Sequence, residues 1–174
     1  MNIIHAKPKI IAVRIDDRLL HGIIVTQWLP QIKCNRVVII DDAIANDELK
    51  KEVMRLSKPV NKALSIINKA SFIENINSGR YGKQRLYIIS KDISILPLLS
   101  ELQYDLPKIN FGMYFAKNSC YSLTNRIVIS NSDLILLKKM VNLGLIFEAQ
   151  YVPSEYATNL NIVILDINKG GNNG

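Results

Sequence analysis

Short apolar runs rich in β-branched residues alternate with helix-period segments along almost the whole chain, and this alternation constrains the fold more than any other feature. The runs "IIAVRI" (10–15), "RVVIID" (36–41), "ALSII" (63–67), "RLYIIS" (85–90) and "KINFGMY" (108–114) read as strands. A continuous run such as "RVVIID" is what burial on both faces of a parallel sheet requires. Between the strands lie helical segments at 24–32 (limited by Pro30), at 45–57, at 69–78 and near 92–103. The segment 45–57 places Leu49, Val53 and Leu56 on one face and has Asn46 or Asp47 to cap it. "SNSDLILLKKMVNLG" (130–144) combines N-terminal caps, an apolar stripe, late lysines and Gly144 as a stop. "LIFEAQYVP" and "NIVILDI" close the fold. The pattern predicts an α/β protein with an open, mostly parallel, doubly wound sheet and helices on both faces. It predicts one domain over 1–168, followed by a disordered glycine- and asparagine-rich tail at 169–174.

Composition narrows the function classes. Hydrophobic residues make up 48% and charged residues 21% of the chain, which excludes general disorder. No uncharged apolar stretch approaches the roughly 18 residues of a membrane span, and the N-terminal segment lacks a signal-peptide core. A cytoplasmic protein, at most peripheral to a membrane, is expected. The net charge of +7 is spread along the chain, its largest local groups being the lysine pairs at 50–51 and 138–139. No nucleic-acid-binding motif accompanies them, so a nucleic-acid partner is not expected. Cys34 and Cys120 stand far apart and fit no metal spacing, so two thiols and no metal or other cofactor are expected.

The stretch that this composition does not explain is "RIDDRLLHG" (14–22), at the carboxyl end of the first strand. In open parallel sheets ligands bind beyond the carboxyl ends of strands. The nine residues admit a bland reading: a helical turn stopped by Gly22, with surface ion pairs around His21. They also admit a chemical one. An imidazole of ordinary pKa, about 6.5, is a nucleophile at neutral pH. Arg14 and Arg18 suit the oxygens of a phosphohistidine, and Asp16 or Asp17 can hold one ring nitrogen while the other attacks. Gly22 permits a sharp turn, and backbone amides at Gly22 and Ile23 open the next helix toward an anion. His5, near the N-terminus, is expected to be inert. Asp41 and Asp42 imitate a metal-binding pair, but the start of the following helix at Asp42 or a neighbour explains them better.

This loop resembles the active-site loop of the IIB subunits of the mannose/fructose/sorbose family of the bacterial sugar phosphotransferase system, which reads Arg-Ile-Asp-Asp-Arg-Leu-Ile-His-Gly-Gln-Val. Trp28 follows as in that family. "VVIIDDAIANDELKK" (37–51), "INFGM" (109–113) and "LGLIFEAQYVP" (143–153) are similar to its second strand and helix, its Ile-Asn-Val-Gly-Gly-Met stretch and its closing strand. The resemblance spans nearly the whole chain. It implies that His21 is phosphorylated by a IIA protein and passes the phosphoryl group to a sugar presented by the IIC and IID membrane subunits. Arg14, Arg18, Asp16 and Asp17 then match the family's arginines and acids, with Arg14, Arg18, Gly22 and Ile23 around the phosphate. Two departures stand out: Ile23 replaces the family glutamine, and "INFGM" has one glycine in place of two. They leave room for a weakly active regulatory copy. A receiver-like signalling domain is the rival from another class, although "ALSIIN" places no acid after the third strand. Oligomeric state is not legible, and a homodimer stays compatible with the sequence.

Overall fold

The computed structural model describes residues 7–167; His5 and the tail at 169–174 lie outside the described residues. Five parallel strands form the centre of the sheet: β1 (Lys9–Asp16), β2 (Arg36–Ile40), β3 (Ala63–Ile67), β4 (Arg85–Ser90) and β5 (Ile109–Phe115). Their spatial order is β3-β2-β4-β1-β5. Beyond β5 the sheet divides. β8 (Phe147–Ala149) pairs with the first half of β5, and β7 (Ile127–Ile129) with its end. Antiparallel partners finish each branch, β6 (Tyr121–Thr124) on β7 and β9 (Thr158–Asn159) on β8. The β6–β7 hairpin has no counterpart in the sequence reading. Its strands of four and three residues are too short to show a period.

The two faces of the sheet are covered unequally. One face packs under α3 (Lys69–Asn77), α4 (Ile95–Glu101), α5 (Asn131–Asn142) and α6 (Leu160–Asp166). Phe72, Leu96, Leu137 and Ile164 from these helices meet Val13, Ile88, Ile109 and Phe111 from the sheet. α5 matches its sequence signals closely. Ser130 Oγ accepts from Asp133 N (3.1 Å) while Asp133 Oδ2 accepts from Ser130 N (3.0 Å), a reciprocal cap. At the other end Gly144 takes φ +95° and Leu145 N donates to Met140 O (3.1 Å), closing the last turn. α4 is shorter than the predicted 92–103, starting at Ile95 and ending at Glu101.

The opposite face is thinner. Leu19, Leu20, Ile24 and Leu29 cover Val37, Ile39, Tyr87 and Ile89 there. The expected helix at 24–32 is a single π-turn at Ile24–Trp28, closed by Leu29 N donating to Ile24 O (2.8 Å), and Pro30 follows at once. The predicted helix 45–57 is realised as α2 (Glu48–Leu56), capped by Asp47, and a separate short helix α1 (Asp42–Ala45), capped by Asp41, precedes it. α2 is turned differently from the expectation. Only Met54 reaches the core, whereas Leu49 (76% exposed), Val53 (60%) and Leu56 (87%) face outward. Met54 follows Val53 by one residue, hence about 100° around the helix, and the sheet selects that side. The carboxyl end of β1 lies between β4 and β5, flanked by the thin face and the loop after β8.

Candidate functional site

β1 ends in Asp16, and the chain reverses immediately. Leu19 N donates to Asp16 O (3.0 Å), and Leu19 adopts φ +55°, a left-handed conformation that costs an L-residue roughly 1 kcal/mol. Burial of the Leu19 side chain, 2% exposed, offsets that cost. The sharp turn was expected at Gly22. Gly22 is not among the left-handed glycines, and a Cβ there would meet nothing within 4 Å. The turn at Leu19 folds Arg18 and His21 back over Asp16.

Asp16 is the centre of the cluster and is fully buried. Its Oδ2 accepts from Arg14 Nε (3.1 Å) and Nη2 (2.9 Å) and from Arg18 Nη2 (3.1 Å). Its Oδ1 accepts from Arg18 Nε (3.0 Å) and the Arg18 amide (3.2 Å). His21 Nε2 lies 3.3 Å from Oδ2. Burial alone would raise the carboxyl pKa, but the hydrogen bonds from His21 and Arg18 and the Arg14 charge overcome it and hold Asp16 at about 2. Asp16 is therefore a fixed anion, and it holds one nitrogen of an imidazole whose side chain is 16% exposed.

The two arginines have different surroundings. Arg14 is 1% exposed, and all five of its N–H groups have acceptors. Besides its bonds to Asp16, Nη1 donates to Asn110 Oδ1 and to Gln150 O (3.0 Å), and Nη2 donates to Tyr151 O (3.1 Å). Its guanidinium carbon lies 5.0 Å from the centre of the Trp28 ring, and Trp28 Nε1 donates to the same Tyr151 carbonyl (3.0 Å). The expectation that Arg14 binds phosphate meets a physical obstacle, since no donor remains. Arg18 is 29% exposed, spends its side-on fork on Asp16, and gives one Nη1 hydrogen to Tyr151 Oη (2.9 Å). Among the described residues this leaves Arg18 with two unengaged N–H groups, one on each terminal nitrogen.

Asp17 was expected beside the histidine, yet its Oδ2 accepts from the Phe115 amide (2.7 Å) and so ties β1 to β5. Burial raises its pKa. Ile23 is half-buried at the start of the π-turn. Gly22 and Ile23 are themselves helical and run into the π-turn, with Val25 N donating to His21 O (3.0 Å). The pair after β2 is occupied elsewhere. Asp41 caps α1 through Ile44 N (2.8 Å) and faces Lys91, while Asp42 pairs with Lys69 (3.0 Å). Among the described residues no cluster of metal-ligating side chains occurs. Cys34 and Cys120 are both free.

Three further residues belong to the cluster and were not read as such from the sequence. Asn110 receives Arg14. Gly112 lies in a bulge, since Ile15 pairs with Phe111 and Asp16 with Met113, leaving the glycine between them unpaired. A Cβ on Gly112 would stand 1.9 Å from Arg14 Nη2 and 2.3 Å from Asp16 Oδ2, so only glycine fits. The glycine retained in "INFGM" is thus one that the ion pair requires. Tyr151 holds both arginines and Trp28. "INFGM" and "AQYVP" were visible as motifs, but nothing in their spacing says that they meet the first loop.

The family model for the sorbose-subfamily IIB component of the phosphotransferase system matches residues 10–172. The chain belongs to this family. The fructose-specific EIIB component of Bacillus subtilis is 23% identical over 92% of this chain and 98% of its own length. The mannose-specific EIIAB component of Escherichia coli is 22% identical over 90% of this chain, which spans 48% of that longer protein. Among solved structures, the IIB domain of the sorbose permease of Klebsiella pneumoniae superposes with a TM-score of 0.83 at 20% identity, covering 93% of this chain and 99% of that one. The fold class is therefore that of IIB domains. IIB components are phosphotransferases of sugar uptake that act with IIA and IIC/IID components. Membership removes the receiver-like alternative. Consistently, the residue after β3 is Asn68, which caps α3 through Ser71 N (2.7 Å) where a receiver needs an acid. No helix among the described residues is long and apolar enough to cross a membrane.

Proposed function

We propose that His21 is the phosphoryl-carrying residue of this IIB component, that its donor is a phosphorylated IIA protein, and that its acceptor is a sugar held by IIC and IID subunits. The protein then works in the cytoplasm, at the membrane's inner face. The observation that supports this reading is the 3.3 Å contact from Asp16 to His21 Nε2, made by a carboxylate already fixed by two guanidiniums. A proton on Nε2 faces Asp16 and leaves the Nδ1 lone pair as the nucleophile. Nδ1 attacks the donor's phosphorus, the bond between the donor and phosphorus breaks, and its electron pair stays on the donor. Arg18 offers its two unengaged N–H groups to the transferring oxygens, and Arg14 keeps Asp16 in place.

The test is single-turnover transfer from phosphorylated IIA, with the label mapped to a peptide. Acid-labile, alkali-stable label on His21, absent from His21→Ala, is expected. Arg18→Ala is expected to fold normally and to accept phosphate about 10²-fold more slowly. Arg18→Lys, which keeps the charge and loses the planar fork, is expected between the two. Label on another residue, or wild-type transfer in Arg18→Ala, sinks the reading. A folded wild-type protein that takes almost no label would select the weakly active regulatory copy that Ile23 and the single glycine of "INFGM" leave open.

A further inference from the structure

We infer that the Tyr151 side chain is a positioning residue for phosphoryl transfer, setting the orientation in which Arg18 meets the phosphoryl group; this rests on the role proposed above for Arg18. The Asp16 fork fixes one edge of the Arg18 guanidinium but leaves its plane free to tip about that edge. Tyr151 supplies a second constraint from the opposite end of the chain. Its Oη accepts from Arg18 Nη1 at 2.9 Å, and its ring centre lies 4.9 Å from the guanidinium carbon. A planar cation held along one edge by Asp16 and at its remaining terminal nitrogen by the Tyr151 hydroxyl has one orientation, so its two unengaged N–H groups point in fixed directions.

Tyr151 is itself immobilised. Its amide donates to Glu155 Oε2 (3.3 Å), and Arg126, from the β6–β7 hairpin, pairs with Glu155 (3.2 Å) and lies 4.0 Å from the Tyr151 ring centre. Gln150 Nε2 donates to Glu155 O (2.7 Å) and closes the loop into a strap. The division of labour within this one residue makes the inference testable. Its main-chain carbonyl serves Arg14 and Trp28, and its side chain serves Arg18. Replacing the side chain therefore spares the buried Arg14 network.

The experiment measures single-turnover transfer from phosphorylated IIA, at donor concentrations spanning saturation, in Tyr151→Phe, Tyr151→Leu, Arg18→Ala and both double variants. Tyr151→Phe, which keeps the ring, is expected to lower the saturated rate about fivefold to tenfold with half-saturation unchanged. Tyr151→Leu, which loses ring and hydroxyl, should be slower still. In the Arg18→Ala background neither substitution should slow transfer further, because the group they position is gone. Unfolding midpoints should stay near wild type in both Tyr151 single variants. A wild-type rate in Tyr151→Phe and Tyr151→Leu while Arg18→Ala is slow overturns the inference and leaves the histidine reading standing. So does a Tyr151 effect of the same size with and without Arg18. A wild-type rate in Arg18→Ala instead removes the role of Arg18 on which the inference rests.

Discussion

Asp16 and Gly112 show how narrowly single residues define this cluster. The Asp16 carboxyl has an ordinary pKa near 3.8 when the chain is unfolded and about 2 when folded. A group lowered by folding contributes stability above its unfolded pKa and loses it as pH falls toward the folded one. That contribution is about 2 kcal/mol at neutral pH, and most of it disappears between pH 4 and pH 2. Asp17, raised by burial, has the opposite sign and weakens folding as it ionises. Comparing urea unfolding of wild type and Asp16→Asn reads chiefly the first effect, because carboxylates away from Asp16 cancel and only neighbouring Asp17 feels the lost charge. The stability gap between them should shrink by roughly 2 kcal/mol from pH 6 to pH 2; a gap independent of pH would show that Asp16 is not held as a low-pKa anion. At Gly112 the expectation is steric. Alanine there must displace a buried guanidinium engaged through all five donors, so Gly112→Ala should lose about 3 kcal/mol or more and with it phosphoryl transfer. Urea unfolding and the transfer assay read the two losses; an alanine variant of wild-type stability would contradict the close approach.

Among the elements, α2 and α5 make a useful contrast. Both were legible as helices, because caps and 3.6-residue periodicity are local signals. α5 also buries the stripe its sequence displays, through Leu134, Leu137 and Met140. α2 does not: it covers the thin face of the sheet at its margin, and one inward residue suffices there. Leu56 is 87% exposed, so Leu56→Lys is expected to change unfolding free energy by no more than about 0.5 kcal/mol. A loss above about 1 kcal/mol in urea titration would show that this stripe is packed after all. The π-turn after Gly22 is an element that periodicity misstates. Its apolar residues look helical over 24–32, but an i→i−5 bond makes 24–28 a π-turn and regular structure stops at Trp28, just before Pro30.

At the scale of the whole molecule, the site is assembled from three distant stretches: 14–21, 110–112 and 150–151. The order β4-β1-β5 sets β1 beside β5, and β8 on the far side of β5 delivers the strap. By itself the sequence determined the alternating α/β architecture, the caps of the long helices and the crowding of charge at the end of β1. Each of these depends on neighbours within a few positions, through side-chain period, capping or simple adjacency. Only the tertiary structure decided which arginine keeps free donors, which aspartate faces the imidazole, why Gly112 must lack a side chain, and that Tyr151 belongs to the site. Those outcomes depend on contacts between residues 96 to 137 positions apart, and strand order, which no local pattern encodes, decides which of them meet.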